Sequence, residues 1–314
     1  MKIVILSRNP EIYSTRRIKE AGISRGHEVL VVDPTKCNLI MEKGRPSIQY
    51  NGEILSGIDA IIPRIGASVT TYGSAVIRHF EAMNVSTSLS SIALLKSRDK
   101  LRSLQLISKS GIGIPKSVFS KHSKSDDIES LINIVGGVPI ILKLLEGTHG
   151  TGVIKVDSIQ SAKSSIEAFS GIKKDIIIQE FIEEARGKDI RAFVVDGKVV
   201  GSMERSGKEG EFRSNLHKGG TAEVIELTNK EKMLAIEVVK LMGLTVAGVD
   251  LIRSEKGLLV LEVNSSPGLM GIEKATGVDI ASFIISSIEN KVNKKLAKRE
   301  KAREKKRNKV SRKD

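Results

Sequence analysis

The sequence predicts an α/β fold, in which an N-terminal parallel α/β domain is followed by a larger α+β domain with two subdomains. Strand and helix patterns alternate over residues 1–95, which is typical of parallel strands joined by crossover helices. Later segments turn back on themselves, as at Asp196-Gly197, a dipeptide that favours a tight antiparallel hairpin. The chain of 314 residues is long enough for two domains.

The N-terminal pattern consists of apolar runs separated by helical and polar segments. The predicted strands cover residues 2–6, 27–33 and 58–62. Asn9 and Pro10 suit the cap and first turn of a helix, which Gly26 ends. A dinucleotide-binding domain would need a glycine-rich turn directly after the first strand, and residues 7–10 contain no glycine. The sequence therefore argues against a dinucleotide site at this turn.

A strand predicted over residues 138–145 carries Lys143 and leads into a glycine-rich loop. The loop contains Gly147, Gly150 and Gly152, which would let backbone N–H groups approach phosphate oxygens closely. The loop is not a Walker A motif, because the lysine precedes the glycines instead of following them. This pattern favours a phosphate site, and a simple hairpin turn remains the alternative.

A polar loop spans residues 206–220 and is too hydrophilic to pack in a core. Long polar loops inside compact domains are often mobile lids over a site. Arg213, Ser214 and Asn215 in this loop are candidates for nucleotide binding. A solvated surface loop is the alternative interpretation.

The segment from residue 246 to 268 is predicted to hold two strands around a short turn. If Ile252 pairs with Leu258, Asp250 lies opposite Val260, on the same face as Glu262 and Asn264. Unpaired carboxylates on an apolar sheet are costly, and a hard cation removes that cost. Oxygen ligands alone favour Mg²⁺ or Mn²⁺. A salt-bridged pair of acids is the alternative.

The order of these residues along the chain resembles the ATP-grasp superfamily. Gln179-Glu180-Phe181 belongs to the same order. More particular motifs are Pro63-Arg64-Ile65-Gly66, Arg98-Asp99-Lys100-Leu101-Arg102-Ser103, Glu209-Gly210-Glu211-Phe212-Arg213-Ser214-Asn215-Leu216 and Val263-Asn264-Ser265-Ser266-Pro267-Gly268-Leu269. Together these motifs resemble the RimK group of the superfamily, whose ligases add glutamate to the C-terminus of a ribosomal protein. The resemblance implies a pre-ATP-grasp domain at 1–95 and an ATP-grasp domain at 96–290, with subdomains at 96–185 and 186–290.

The resemblance also implies how ATP is bound. Lys100 and Lys143 would bind its phosphates as point charges. Glu180 and the backbone at Phe181 would hold the adenine, and Asp189 would bind the ribose hydroxyls.

Metal and catalytic roles follow from the same resemblance. Asp250, Glu262 and Asn264 would hold two Mg²⁺ or Mn²⁺ ions that bridge the phosphates. Arg213 would stabilise the oxyanion of a tetrahedral intermediate, with Asn215 in support.

The implied activity is ATP-dependent ligation of a carboxylate to an amine, with ADP as a product and an acyl phosphate as the intermediate. The implied substrates are glutamate and the C-terminus of a small-subunit ribosomal protein. Two alternatives stay open: a ligase for a small metabolite or an amino-group carrier protein, and an RNA-associated ATP-binding module without ligase turnover. A homo-oligomer is compatible with the sequence.

Charge and cysteine content bear on partners and location. The net charge is +14, and residues 291–314 hold 13 Lys or Arg and three acids, so this segment carries +10 and the rest +4. The segment is predicted to be a disordered or transiently helical tail that either solubilises the protein or contacts RNA.

Cys37 is the single cysteine, which excludes an intrachain disulfide. The absence of a secretory signal and of an apolar stretch of ~20 residues predicts a cytoplasmic protein without membrane contact.

Overall fold

The computed structural model describes residues 1–121, 125–146, 152–208, 210–214 and 219–310, without the side chains of 125–126 and 306–310. The chain divides into two compact units. The first comprises Met1–Ile92, Gly268–Met270 and Asp279–Asp314, and the second comprises Ala93–Pro267 and Gly271–Val278. The domain boundaries at 95/96 and 290/291 stay a proposal. Every helix in the described ranges is too short or too polar to span a lipid bilayer.

Strands and helices follow one another along both units of the chain. In chain order, the strands of the described residues are β1 (Lys2–Leu6), β2 (Glu28–Val32), β3 (Cys37–Ile40), β4 (Ser47–Tyr50), β5 (Glu53–Ile54), β6 (Ala60–Pro63), β7 (Ser86–Thr87), β8 (Ser117–Phe119), β9 (Ile140–Leu144), β10 (Val153–Val156), β11 (Ile176–Glu180), β12 (Lys188–Val195), β13 (Lys198–Ser206), β14 (Thr221–Val224), β15 (Val246–Ser254) and β16 (Gly257–Asn264). The helices are α1 (Tyr13–Ser24), α2 (Thr70–Ala82), α3 (Ser91–Arg98), α4 (Lys100–Lys109), α5 (Ser125–Ile134), α6 (Ile159–Gly171), α7 (Asn229–Met242), α8 (Met270–Thr276) and α9 (Ile280–Val310).

The first unit is built on a parallel sheet with the strand order β2-β1-β6-β7. The central strand β1 is buried from Ile3 to Leu6, as expected for a strand covered on both faces. Helix α1 packs closely because Gly22 has no side chain: a Cβ there would lie 2.7 Å from Cγ2 of Val29 on β2. The predicted parallel N-terminal α/β architecture is confirmed.

Two local features of this unit differ from expectation. Helix α1 begins at Tyr13 instead of directly after a cap at Asn9, because the Asn9 side chain accepts a hydrogen bond from the Glu11 N–H at 2.8 Å and forms a turn before the helix. A small antiparallel sheet of β3, β4 and β5 fills the segment between β2 and β6. Its strands are short and partly exposed, so the sequence pattern did not reveal them.

The basic C-terminal segment is helical in the structure instead of disordered, at least to Val310. It continues α9 without a break from Ile280. Two contacts of the first unit explain this: Val292 is buried, and the Lys295 ammonium donates to the backbone carbonyl of Asn84. Lys, Arg, Glu, Ala and Leu are also strong helix formers, which supports the remaining exposed turns.

The second unit contains an antiparallel sheet with the order β10-β9-β11-β8. One face of this sheet is covered by α5 and α6. Ile128 and Ile132 of α5 and Ile166 of α6 pack against Leu142 and Ile178 of the strands. Burial of this apolar surface stabilises the layer and presents the other sheet face for polar side chains.

A second antiparallel sheet of the same unit has the order β14-β13-β12-β15-β16. The hairpin between β12 and β13 turns at Asp196-Gly197, where both residues have positive φ values, 48° and 73°. This matches the predicted tight turn. Helix α7 packs on this sheet and begins with a capping box of Thr228 and Glu231. The two antiparallel sheets confirm the α+β architecture predicted for this part of the chain.

The register of β15 and β16 differs from the one assumed from the sequence. Ile252 pairs with Leu259, not Leu258, and Asp250 lies directly opposite Glu262, not Val260. The turn shifts the pairing by one residue, and a β-bulge between Asp250 and Leu251 shifts it by another. Because two shifts restore the alternation of faces, Asp250 and Glu262 still share a face.

Candidate active site

Five charged side chains lie on one face of the five-stranded sheet. Directly opposed strand residues share a face, and the register pairs Asp189 with Arg205, Arg191 with Asp250, and Asp250 with Glu262. Asp189 and Arg191 are two residues apart on β12 and therefore also share that face. The sheet thus concentrates three carboxylates and two guanidiniums in one patch.

Asp250 is buried and is held by two arginines. Arg191 donates to both of its oxygens, Nε to Oδ1 at 2.7 Å and Nη2 to Oδ2 at 2.6 Å. Arg205 donates a further hydrogen bond from Nη2 to Oδ2 at 2.8 Å. Burial raises the pKa of Asp250, but the two guanidiniums outweigh it and hold the pKa well below its ordinary value. Asp250 is therefore a fixed negative charge.

Arg205 connects Asp250 to Asp189. Its Nε and Nη2 atoms each lie 2.6 Å from one oxygen of Asp189, in a bidentate pair. The hydroxyl of Ser214 donates to the same carboxylate at 2.5 Å. Burial lowers the pKa of Arg205, but the two acids outweigh burial and raise the pKa above its ordinary value, so its charge is permanent. The network joins β12, β13, β15 and the polar loop.

Glu262 differs from these acids because it makes no hydrogen bond or ion pair with any other described residue. Its side chain is exposed to solvent, yet the surrounding protein is dense enough that desolvation raises its pKa. Repulsion from Asp250 raises the pKa further. A carboxylate in this state is suited to bind an incoming cation.

Lys100 and Lys143 lie near this patch. The Lys100 ammonium, from α4, donates to the backbone carbonyls of Leu144 at 2.9 Å and Leu145 at 3.2 Å. Desolvation lowers the pKa of both lysines, and attraction to Glu262 opposes the shift. Lys143 also interacts electrostatically with Asp250 and Asp189. The structure thus brings together both predicted phosphate lysines and the predicted acids.

Asn264 ends β16 opposite Gly248. Its side-chain oxygen accepts a hydrogen bond from the Ser266 N–H at 3.0 Å, which shapes the turn after the strand. The hydroxyls of Ser265 and Ser266 are buried without a hydrogen-bond partner in the described part of the chain. Gly248 permits the close approach of this turn, since a Cβ there would lie 3.0 Å from Cβ of Pro267.

The donor set fits a hard divalent cation. Asp250, Glu262 and Asn264 offer only oxygen atoms, which Mg²⁺ and Mn²⁺ prefer. Both oxygens of Asp250 already accept from arginines, so a cation would share or displace these bonds, whereas Glu262 is available. In the described ranges no group of three or more His, Cys, Asp or Glu could hold a metal, and this set has only two acids.

Glu180 and Phe181 lie at the end of β11. One oxygen of Glu180 accepts from the Lys116 N–H at 3.0 Å, and the other from the Lys256 ammonium at 2.6 Å. The Lys155 ammonium lies 4.8 Å from the centre of the Phe181 ring, within the range of a cation–π interaction. The Glu180 carboxylate is thus engaged by protein groups.

Arg213 pairs with Glu211 within its own loop. Its Nε and Nη2 atoms lie 2.9 and 2.7 Å from the two Glu211 oxygens, and this pair raises the pKa of Arg213. Its Nη1 donates to the Val153 carbonyl at 3.4 Å. The described contacts bring Ser214 to the acidic patch, whereas Arg213 bonds to Glu211 and to β10.

Two residues of the glycine-rich loop, Gly147 and Gly150, lie outside the described residues. Asn215 of the polar loop also lies outside them. Gly152 is described and has a φ of +76°. A Cβ there would lie 2.4 Å from Cδ1 of Leu144, so only glycine fits between the ends of β9 and β10.

Arg191 and Arg205 are the site residues that sequence reasoning missed. Arg191 lies two residues after Asp189 on the same strand, so the alternation of the hairpin places both on one face. Counting from the Asp196-Gly197 turn would put Glu204 opposite Asp189, and only the β-bulge at Phe193 and Val194 brings Arg205 there. The signal was therefore present for Arg191 alone, and the adjacency of β12 and β15 was needed to bring in Asp250.

Comparison with known proteins identifies similar domains along nearly the whole chain. Residues 1–94 match the RimK PreATP-grasp domain, and residues 97–288 match the RimK-like ATP-grasp domain. The probable alpha-L-glutamate ligase 1 of Hahella chejuensis is 57% identical over 291 residues, which cover 93% of this chain and 95% of the relative. The probable alpha-L-glutamate ligase of Aliivibrio salmonicida is 56% identical over 289 residues, or 92% and 95% of the two chains.

A solved structure shares the fold. The ATP-grasp ligase PsnB, complexed with a phosphomimetic variant of a minimal precursor, Mg and ADP, aligns with a TM-score of 0.71. The alignment covers 92% of this chain and 97% of PsnB at 22% sequence identity. The likeness supports the ATP-grasp fold, and the sequence matches confirm the resemblance drawn from the motifs.

Proposed function

The chain belongs to the RimK-like ATP-grasp family and is a ligase of that family, and from this premise we propose that it adds L-glutamate to the C-terminal carboxylate of an acceptor protein. The observation that carries the proposal is the clustering of Lys100 and Lys143 with Asp250 and Glu262 in one unit. Such an arrangement of cations and acids suits ATP phosphates and the metal ions that accompany them. The relatives named as glutamate ligases support glutamate as the amine.

The lysines would neutralise the phosphates. Lys100 is held in place by two carbonyl groups, and Lys143 lies among acids whose attraction opposes the lowering of its pKa by desolvation. The acceptor carboxylate attacks the γ-phosphorus, the bond to the β-phosphate oxygen breaks, and ADP leaves. Both lysines would stabilise the charge that this transfer redistributes. Gly147, Gly150 and Gly152 would let the backbone approach the same phosphates.

Asp250, Glu262 and Asn264 would hold the two divalent cations, Mg²⁺ or Mn²⁺. When bound, these ions supply charge neutralisation at the phosphate oxygens. Arg191 and Arg205 keep Asp250 ionised and fixed, so they would position the acid without contacting the reacting atoms.

The adenosine part of ATP would lie against the ends of β11 and β12. Glu180 and the backbone of Phe181 would bind the adenine, and Asp189 the ribose hydroxyls. Arg205 and Ser214 orient the Asp189 carboxylate, which supports a fixed binding role for it.

The second chemical step joins the two substrates. The glutamate amine attacks the acyl carbon, loses a proton, and expels phosphate, so no protein nucleophile is needed. Arg213 and Asn215 would stabilise the oxyanion, and Ser214 would support the nucleotide. In the structure Arg213 is paired with Glu211, so this role requires the loop to release it.

We further propose that the acceptor is the C-terminus of a small-subunit ribosomal protein in the cytoplasm and that the basic segment 291–314 contacts RNA. The charge of this segment supports the RNA contact. No observation favours a small metabolite or an amino-group carrier protein as the acceptor.

The test is incubation of purified small-subunit ribosomal proteins with the enzyme, ATP, Mg²⁺ and glutamate, followed by intact mass spectrometry. We expect one protein to gain the mass of one or more glutamate residues at its C-terminus. A synthetic peptide of that C-terminus should also be extended, whereas its amidated form should not. Equal modification of the amidated peptide would contradict the proposed acceptor. So would the finding that no ribosomal protein is modified.

A further inference from the structure

A basic groove lies in the first unit, at the edge strand β7. It has a volume of about 570 Å³ and is bordered by Ser86 and Thr87 on one side. The other side is one face of α9. This face contributes five cations, Lys291, Lys294, Lys295, Lys298 and Arg299. We call this feature the α9 groove.

The spacing of the five cations places them in one row. They recur at intervals of three and four residues, which is the period of a single helix face. From Lys291 to Arg299 the row extends for about 12 Å along the helix axis. Lys294, Lys298 and Arg299 are exposed to solvent and Lys295 is half-buried. The groove therefore presents a linear array of positive charge and not a single site.

The groove lacks negative charge of its own. None of its lining residues is acidic, and among the described residues Lys294, Lys298 and Arg299 form no ion pair. The nearby Glu289 is occupied by His27 at 2.7 Å and by a bidentate pair with Arg25. Desolvation lowers the pKa of Lys295, and repulsion from neighbouring cations lowers it further. An anion in the groove would relieve this repulsion.

We infer that the α9 groove binds the phosphate backbone of RNA. A row of cations matches a ligand that carries regularly repeated negative charge. The groove contains no aromatic side chain for base stacking, so we expect recognition without sequence preference. A membrane surface fits less well, because an interfacial helix needs a broad apolar face and this part of α9 exposes only Leu296 among its large apolar side chains. The choice of RNA over an acidic polypeptide rests on the proposed function.

The test compares two variants that remove three charges each from the same helix. K294Q/K298Q/R299Q removes three of the four exposed cations of the groove, whereas K301Q/R303Q/K305Q removes cations that do not line it. Gln keeps the helix propensity of both. Binding of a fluorescent single-stranded RNA of mixed sequence is followed by anisotropy between about 50 and 200 mM salt.

We expect the groove variant to bind RNA at least about tenfold more weakly at low salt and its salt slope to fall by about 2. In the control variant, the logarithm of the affinity should change by no more than a third of its change in the groove variant. Equal losses in the two variants would show that charge acts diffusely and would overturn the groove assignment. Unchanged RNA binding by the groove variant would do the same.

Two further probes decide the ligand class. Poly-glutamate or vesicles rich in phosphatidylserine that bind more tightly than RNA at equal salt would overturn the choice of RNA.

Binding is measured without ATP, and turnover on a short acceptor peptide is measured on the same proteins. Normal RNA binding without ligase turnover would contradict the proposed function alone, and turnover without groove-dependent binding would contradict the groove alone.

Discussion

Replacing Arg205 by Met should destabilise the five-stranded sheet, because it removes the guanidinium that the buried Asp250 and the partly buried Asp189 share. Arg205 lies 2.6 Å from Asp189 and 2.8 Å from Asp250, and its side chain is only 6% exposed. Removing one partner of a buried ion pair costs about 3–5 kcal/mol, since the remaining charge stays buried. Arg191 still compensates Asp250, so we expect a loss near the lower value of this range.

The loss should depend on pH. In the wild type the two guanidiniums hold the pKa of Asp250 below its ordinary value of ~3.9. Their contribution to the free energy of unfolding is therefore fully present above pH ~3.9. It is lost as the pH falls through the lower pKa that Asp250 has in the folded protein. Without Arg205 the Asp250 carboxylate protonates more readily as the pH falls, and protonation removes the penalty. The difference in the free energy of unfolding should therefore be largest near neutral pH and shrink in acid.

The assay is urea unfolding followed by far-ultraviolet circular dichroism, with hydrogen exchange on peptides from β12, β13 and β15. Intrinsic fluorescence is unsuitable, because the chain has no Trp and its three Tyr lie in the first unit. The matched control is K188M, which breaks the exposed pair of Lys188 and Glu204 on the same hairpin and should leave the midpoint unchanged. Equal midpoints for R205M and K188M would refute the stabilising role of the network.

Two substitutions and one labelling experiment test separate parts of the structure. E262Q should keep the fold and lower ATP turnover at least about a hundredfold by deleting a charge at the phosphates; near-native turnover would remove Glu262 from the metal set. G152A should lower the free energy of unfolding in urea by about 1–3 kcal/mol, because its φ is +76° and a Cβ would overlap Leu144; an unchanged midpoint would contradict this. Burial raises the pKa of Cys37 to about 12, and Asp33 contributes. Iodoacetamide should therefore label the native protein far more slowly than the unfolded one, and equal rates would show an accessible thiolate.

Much of the fold was predictable because local patterns agree with tertiary structure. The apolar run of β1 indicates a strand covered on both faces, and Asp196-Gly197 indicates a hairpin turn. The same patterns placed Asp250 and Glu262 on one face, although the assumed register was wrong. A β-bulge leaves no mark in the alternation of residues, so the direct pairing of these acids required the structure.

Other features depend on contacts that are distant in sequence. The helical state of residues 291–310 relies on burial of Val292 and on the bond from Lys295 to Asn84, and neither can be read from composition. The arginine network likewise required the order of the strands, since β12 lies between β13 and β15. Composition identified the charge of the segment, whereas the structure arranged part of it into the α9 groove.

The most direct test of the central claim follows an oxygen atom through the reaction. An acceptor peptide is prepared with a heavy oxygen isotope in its C-terminal carboxylate and is incubated with the enzyme, ATP, Mg²⁺ and glutamate. If the carboxylate is activated as an acyl phosphate, one heavy oxygen appears in the released phosphate, ADP is formed, and the peptide gains glutamate. Heavy oxygen in AMP would show adenylation instead, and unlabelled phosphate with an unmodified peptide would show ATP hydrolysis without ligation.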